Sequence, residues 1–241
     1  MNDVSDIGEL RQEAATTPQH PVWAKGGPVF SHLKDDTVMA LEGSAIATFG
    51  DAAVLGFWAF ATGIWITGLF QTNIAPLSER GLLFPSLLIY AGVVLFMAGL
   101  FLYRRNNLFF ATTFCSFAAF NITHAVLLLC QLDGLLQTSP TANLVVGCLT
   151  ESFAYISLSL LIGALQMNVV LVLMLGCTFI GYALGGLPFL TAATAGGGWA
   201  AAGRIGGYFL IAAGVFAYYG GTALLVNTSW RRPILPIGGQ A

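Results

Sequence analysis

Charge is the scarcest thing in this sequence. Asp, Glu, Lys and Arg make up only 8% of it and hydrophobic residues 56%; soluble domains are about one-quarter charged, so this composition cannot clothe a water-facing globule. Lysine is nearly missing. Lys25 and Lys34 are the only two and both precede the apolar part of the chain, which excludes a retinal-type photoreceptor with its lysine inside the membrane. No polybasic run is present to hold nucleic acid. Cys115, Cys130, Cys148 and Cys177 show no CxxC spacing and no Cys/His cluster, so neither a metal nor a cofactor is expected. They read as small core residues, with an interhelical disulfide as the alternative. There is also no nucleophile and base pair and no phosphate-binding glycine loop, which argues against an enzyme. The glycines at 196–198 read as a flexible outer turn.

What the chain has in place of charge is six long apolar stretches: Ala53 to Phe70, Leu82 to Leu102, Phe109 to Cys130, Leu144 to Leu165, Val169 to Pro188 and Ile205 to Val226. A hydrocarbon layer about 30 Å thick and a helical rise of about 1.5 Å per residue require roughly 20 apolar residues per crossing. The mean hydropathy of +0.79 fits that use. The runs are continuous and lack the in/out alternation of barrel strands, so the expected fold is all-α: a polytopic membrane protein with six transmembrane helices.

Three segments follow. Residues 1–50 mix acids, bases and prolines with no long apolar run and form an N-terminal tail; 51–228 form the six-helix domain; 229–241 form a C-terminal tail. No apolar h-region follows Met1, so the first span is expected to act as the targeting element. Val38 to Phe49 reads either as a solvated linker or as a short interfacial helix. Lys34, Arg104, Arg105, Arg231 and Arg232 flank one side of the spans, against Arg80 and Arg204 on the other. Basic residues are retained on the cytoplasmic side, so both termini of this cell-membrane protein are expected there. Trp58, Trp199 and Trp230 lie near span ends, at interfacial positions, and Trp65 lies deeper.

Glycine spacings of four, as in Gly181 to Gly185 and Gly203 to Gly207, let neighbouring backbones approach closely, either within one chain or between subunits.

Polar groups at membrane depth are costly and face a cavity, a partner or a solute path. Glu151 is the one carboxylate within the spans. It lies about 12 Å below the outer end of its helix and His124 about 8 Å below the same surface, counted at about 1.5 Å per residue. On adjacent antiparallel helices the two can share a hydrogen bond and pass a proton; the alternative is that Glu151 fixes helix registry and His124 is a packing residue. On the third span Thr113, Phe117 and Asn121 follow at i, i+4, with Ser116, Phe120 and His124 on the same broad face; on the fourth, Glu151, Tyr155 and Ser159 form a second row. Such rows either line a path that desolvates a small anion or bond helix to helix.

The runs GLFLYRRNNLF at Gly99 to Phe109, TTFCSF at Thr112 to Phe117 and RRPILPIGG at Arg231 to Gly239 resemble the acetate uptake transporter family, which includes bacterial succinate–acetate permeases and fungal acetate and ammonia-export proteins. The resemblance covers roughly Asp51 to Gly238. Where the family has Asn-Pro-Ala-Pro-Leu-Gly-Leu at the mouth of its first span, this chain has Asp51 to Phe57, agreeing at Ala53, Leu55 and Gly56 and placing an acid near the mouth. The resemblance implies a protomer of six transmembrane helices around a central pore, often assembled as a hexamer, that moves acetate and, in some members, succinate together with protons. It also implies an aromatic constriction at Phe60 and at Phe117, where the family has Tyr. The family's third member, a Leu, falls at Thr178 beside Phe179.

The expected function is therefore proton-coupled or channel-like transport of acetate or a related short carboxylate, with a proton, the lipid bilayer and further copies of the chain as partners. Ammonia or ammonium movement is the alternative within transport. A sensor or scaffold that binds a carboxylate without moving it is the alternative outside it.

Overall fold

The computed structural model describes residues 51–137, 139–193 and 199–238; the segment Val38 to Phe49 and the glycines at 196–198 lie outside them. Its helices are α1 (Ala53–Gln71), α2 (Leu77–Arg104), α3 (Leu108–Leu132), α4 (Pro140–Ala164), α5 (Val169–Ala193) and α6 (Ala200–Trp230). All six are long and apolar enough to cross a bilayer.

Most helices outrun the apolar stretches that signalled them, because capping groups and not the lipid edge end them. Asn107 accepts from the Phe110 amide at the start of α3, and Ser139 accepts from the Ala142 amide at the start of α4, ahead of Pro140. The expected end of the fifth span at Pro188 is overturned. Helix α5 runs through that proline, since the ring seats against Gly203, where a Cβ would come within 2.7 Å of its Cγ.

Helix α2 is irregular, which apolar length alone does not reveal. Tight turns over Leu77–Leu82 give way to a single α turn at Leu83–Pro85, then to nine residues of wide π turns at Ser86–Val94, and only then to a regular α-helix at Leu95–Arg104. Pro85 cannot donate to the turn before it and its ring displaces the preceding carbonyl. Asn121 of α3 donates its amide to the Ala91 carbonyl at 2.9 Å, so a side chain from a neighbouring helix satisfies a carbonyl inside the widened stretch.

Around the bundle, α3 packs on α2, α2 on α1, α1 on α6, α6 on α5 and α5 on α4; the seam from α4 back to α3 is the thinnest. Glycine makes the tightest seams. A Cβ on Gly68 would stand 2.7 Å from the Gly207 carbonyl oxygen, and one on Gly206 would stand 2.7 Å from that of Gly181. The four-residue glycine spacings on α5 and α6 therefore serve packing within the chain. All four cysteines are free thiols, and Cys148 is exposed, not in the core.

Beyond α6 the chain turns at Arg231, whose backbone is left-handed with φ 52°. It then returns along the bundle. Asn227 Oδ1 accepts from the amides of Ile234 and Leu235, the Tyr219 hydroxyl donates to the Pro236 carbonyl, and the carbonyls of Ile237 and Gly238 accept from the Val170 and Val169 amides at the start of α5.

The α1–α6 seam leaves no room for a side chain at Gly207, where a Cβ would lie 2.8 Å from Thr72 Cγ2 and 2.9 Å from its amide nitrogen. Gly207→Val is expected to destabilise the bundle by about 1–3 kcal/mol. Thermal unfolding in detergent is the check, and an unchanged midpoint would refute this reading of the seam.

Candidate solute pathway

At the end of the bundle that carries Arg104 and Arg105, Asp51 accepts from the Ala53 amide at 2.9 Å and stands 3.8 Å from Arg105 Nη1. The acid at the mouth is thus matched by a cation and fixes the first turn of α1. Gly56 is the seat of the Phe114 ring, with which any Cβ there would collide. Leu55 is 42% exposed and turned away from the interior.

Above this mouth the interior is filled by aromatic rings in two layers. Phe57 of α1 meets Phe110 and Phe114 of α3 at centroid distances of 5.4 and 5.6 Å. Next, Phe60 and Phe117 meet at 4.9 Å, and Phe117 stacks on Tyr182 of α5 at 6.2 Å. Phe120 closes the layer, 4.2 Å from Phe153 of α4 and 5.2 Å from Tyr182. Phe60, Phe117, Phe120 and Tyr182 are all buried. Phe60 and Phe117 are brought together as the sequence led one to expect. Thr178 lies one helical turn from Tyr182 and is fully buried, whereas Phe179 is half-buried at the margin of the core.

Beyond the rings lies a vestibule of about 230 Å³, lined among others by Gln71, Arg80, Asn121, His124, Thr150 and Tyr182. Tyr182, Phe153, Arg80 and Gln71 were not singled out from sequence. Tyr182 was within reach, four residues past Thr178 on the same helix face.

The expected lane of neutral donors takes a different form. Thr113 donates to the Phe109 carbonyl at 2.7 Å and Thr178 to the Met174 carbonyl at 2.8 Å, so their hydroxyl protons are spent within their own helices. Ser116 is half-buried and Asn121 is committed to Ala91. The row on α4 points outward: Tyr155 is 71% exposed and the Ser159 hydroxyl donates back to the Tyr155 carbonyl. Its physical reason is the packing of α4, which meets α5 broadly and α3 barely.

Glu151 and His124, expected as a pair, share no hydrogen bond or ion pair among the described residues. Glu151 Oε1 is buried without a partner against α5, where a Cβ on Gly186 would strike it. His124 packs on Phe120 at 4.7 Å, and its Nδ1 is likewise buried without a partner.

The ring layer presents ring faces and edges, with the Tyr182 hydroxyl, and no charged side chain.

A model of the GPR1/FUN34/yaaH family matches residues 39–235. The chain belongs to that family. Among solved structures, that of the bacterial acetate channel SatP superposes with a TM-score of 0.71 at 23% identity, covering 79% of this chain and 100% of that one. This family member therefore has the SatP fold and is a multi-pass membrane protein. No curated protein matches it.

Because Gly186 makes room for the Glu151 carboxyl, Gly186→Ala is expected to lower stability by about 1–3 kcal/mol. Adding Glu151→Ala should restore a good part of that loss. Additive losses in the double variant, measured by thermal unfolding in detergent, would show that the two residues do not meet.

Proposed function

We propose that this protein conducts acetate or related short monocarboxylates through the interior of each protomer. The carrying observation is the ring layer of Phe60, Phe117, Phe120 and Tyr182 lying between a vestibule with Arg80 and a mouth whose acid is matched by Arg105. Family membership and the SatP fold support the same reading. A dry constriction of rings passes the neutral acid of a small carboxylate more readily than a hydrated inorganic ion. Ammonium movement has less support, since Asp51 is engaged by Arg105 and is not free to draw in a cation.

Both termini are assigned to the cytoplasm on the excess of arginine at the Arg104, Arg105, Arg231 and Arg232 end. Assembly into a homo-oligomer is supported by α4, whose exposed face carries Cys148, Ser152, Tyr155 and Ser159, hydroxyl and small groups better covered by protein than by lipid.

Liposomes containing the protein are expected to accumulate labelled acetate when an inward proton gradient is applied. An absence of uptake for every C1 to C4 carboxylate, with an internal pH change after an ammonium pulse, would replace this reading with ammonium transport. Glu151, whose Oε1 is buried without a partner between α4 and α5, we assign to proton coupling. Glu151→Gln is expected to leave assembly intact and flatten the pH dependence of uptake; a wild-type profile would leave Glu151 only a structural role.

A further inference from the structure

The vestibule is larger and greasier than an acetate requires. An apolar cavity of roughly 150 Å³ holds benzene, six heavy atoms, so the vestibule, at about 230 Å³, has space for about eight or nine at that same density. Acetate fills fewer than half of these places. The surplus is apolar: Phe70, Leu77, Leu83, Leu87, Leu127 and Phe189 all line it.

One end of this apolar space is equipped for a single negative charge. Arg80 lines the cavity from the turn at Leu77–Leu82 and has no carboxylate partner among the described residues. The lining holds no Asp or Glu, and Glu79, next along the turn, is exposed and outside it. His124 lines the same cavity. Its Nδ1 is buried with nothing to bond, and an orphaned N–H is costlier there than a bare lone pair. The proton therefore belongs on Nε2, and the imidazole offers that N–H to the cavity. A guanidinium and an imidazole N–H above a leucine-lined hollow describe an amphiphilic anion, not a compact one.

We propose that the vestibule binds a monocarboxylate with an alkyl chain of about five to seven carbons and that the bound acid blocks the passage of smaller solutes. The carboxylate sits on Arg80 and His124, and the chain lies along Leu77, Leu83 and Leu87. The floor of the vestibule is Phe120 and Tyr182, which are also members of the ring layer. A chain resting on them holds shut the rings that acetate has to move. Binding stands on the vestibule alone; the block rests on the proposed carboxylate pathway.

The test uses the purified full-length protein in detergent and labelled butyrate, pentanoate, hexanoate and decanoate, with hexan-1-ol as the uncharged competitor. Each methylene added between butyrate and hexanoate is expected to tighten binding about fourfold, and the gain should stop before decanoate, once the cavity is full. Arg80→Gln should weaken hexanoate binding by about tenfold or more, and hexan-1-ol should not displace it. Leu77→Asn, at a site 58% exposed and so tolerant of change, should reduce the gain per methylene while leaving butyrate binding in place. Affinity that is flat with chain length, or equal in Arg80→Gln and wild type, would overturn the site. In liposomes, hexanoate at its binding concentration should suppress labelled acetate entry; binding without suppression would overturn the block. Hexanoate binding of the expected kind in a protein that moves no carboxylate would leave the site standing and remove the proposed pathway.

Discussion

Lipid cannot accept or donate a hydrogen bond, and nearly everything in this structure answers to that. Each backbone amide and carbonyl at membrane depth has to be satisfied by protein. Regular helices do most of this, but the exceptions are more informative. The widened stretch of α2 keeps the Ala91 carbonyl bonded through Asn121. The opening amides of α3, α4 and α5 are met by Asn107, Ser139 and Asn168. Hydroxyls within the spans, those of Thr62, Thr67, Thr113, Thr150, Ser157 and Thr178, turn back onto carbonyls of their own helices. The same constraint that lets these residues enter the membrane removes their protons from the solute lane, which is left aromatic and dry.

Packing then decides where that lane runs. Glycine seams bring α1, α5 and α6 into backbone contact, which leaves the large side chains to fill the middle. Phenylalanines from α1, α3 and α4, with Tyr182 of α5, meet there in edge-to-face, tilted and stacked pairs. Charged side chains stand at the two ends, Asp51 with Arg105 at one and Arg80 in the vestibule at the other. On the proposed pathway, charge at the mouths and rings between them select on hydration before they select on size.

The six crossings and the pairing of Phe60 with Phe117 were legible in the sequence because hydropathy, helical rise and family resemblance report on depth. Azimuth was not legible. Glu151 and His124 lie at matching depths, yet one faces Gly186 and the other Phe120, and a one-dimensional count has no means of separating the two. Tyr155 and Ser159 failed as a lining for the same reason, because an i, i+4 row identifies a face and not what that face meets. Irregular geometry was also hidden. Pro85 passed unremarked inside the second span and is absorbed by wide turns, and Pro188 looked like a terminus because its docking against Gly203 of the next helix is a tertiary contact. Arg80 was read only as a topology signal, since a loop arginine becomes a vestibule residue only once the loop is seen to fold inward.

The returning segment after α6 has a bearing on how the molecule is made. The first amides of α5 find their acceptors in Ile237 and Gly238, residues synthesised after α6 has emerged. Until they are made, Asn168 meets the Leu171 amide but the Val169 and Val170 amides lack these acceptors, so the bundle can insert before that end of α5 is latched. Fastening that end of α5 therefore waits on residues beyond α6, and a nascent chain halted before Ile237 would present an unlatched helix end to the cell's quality-control machinery.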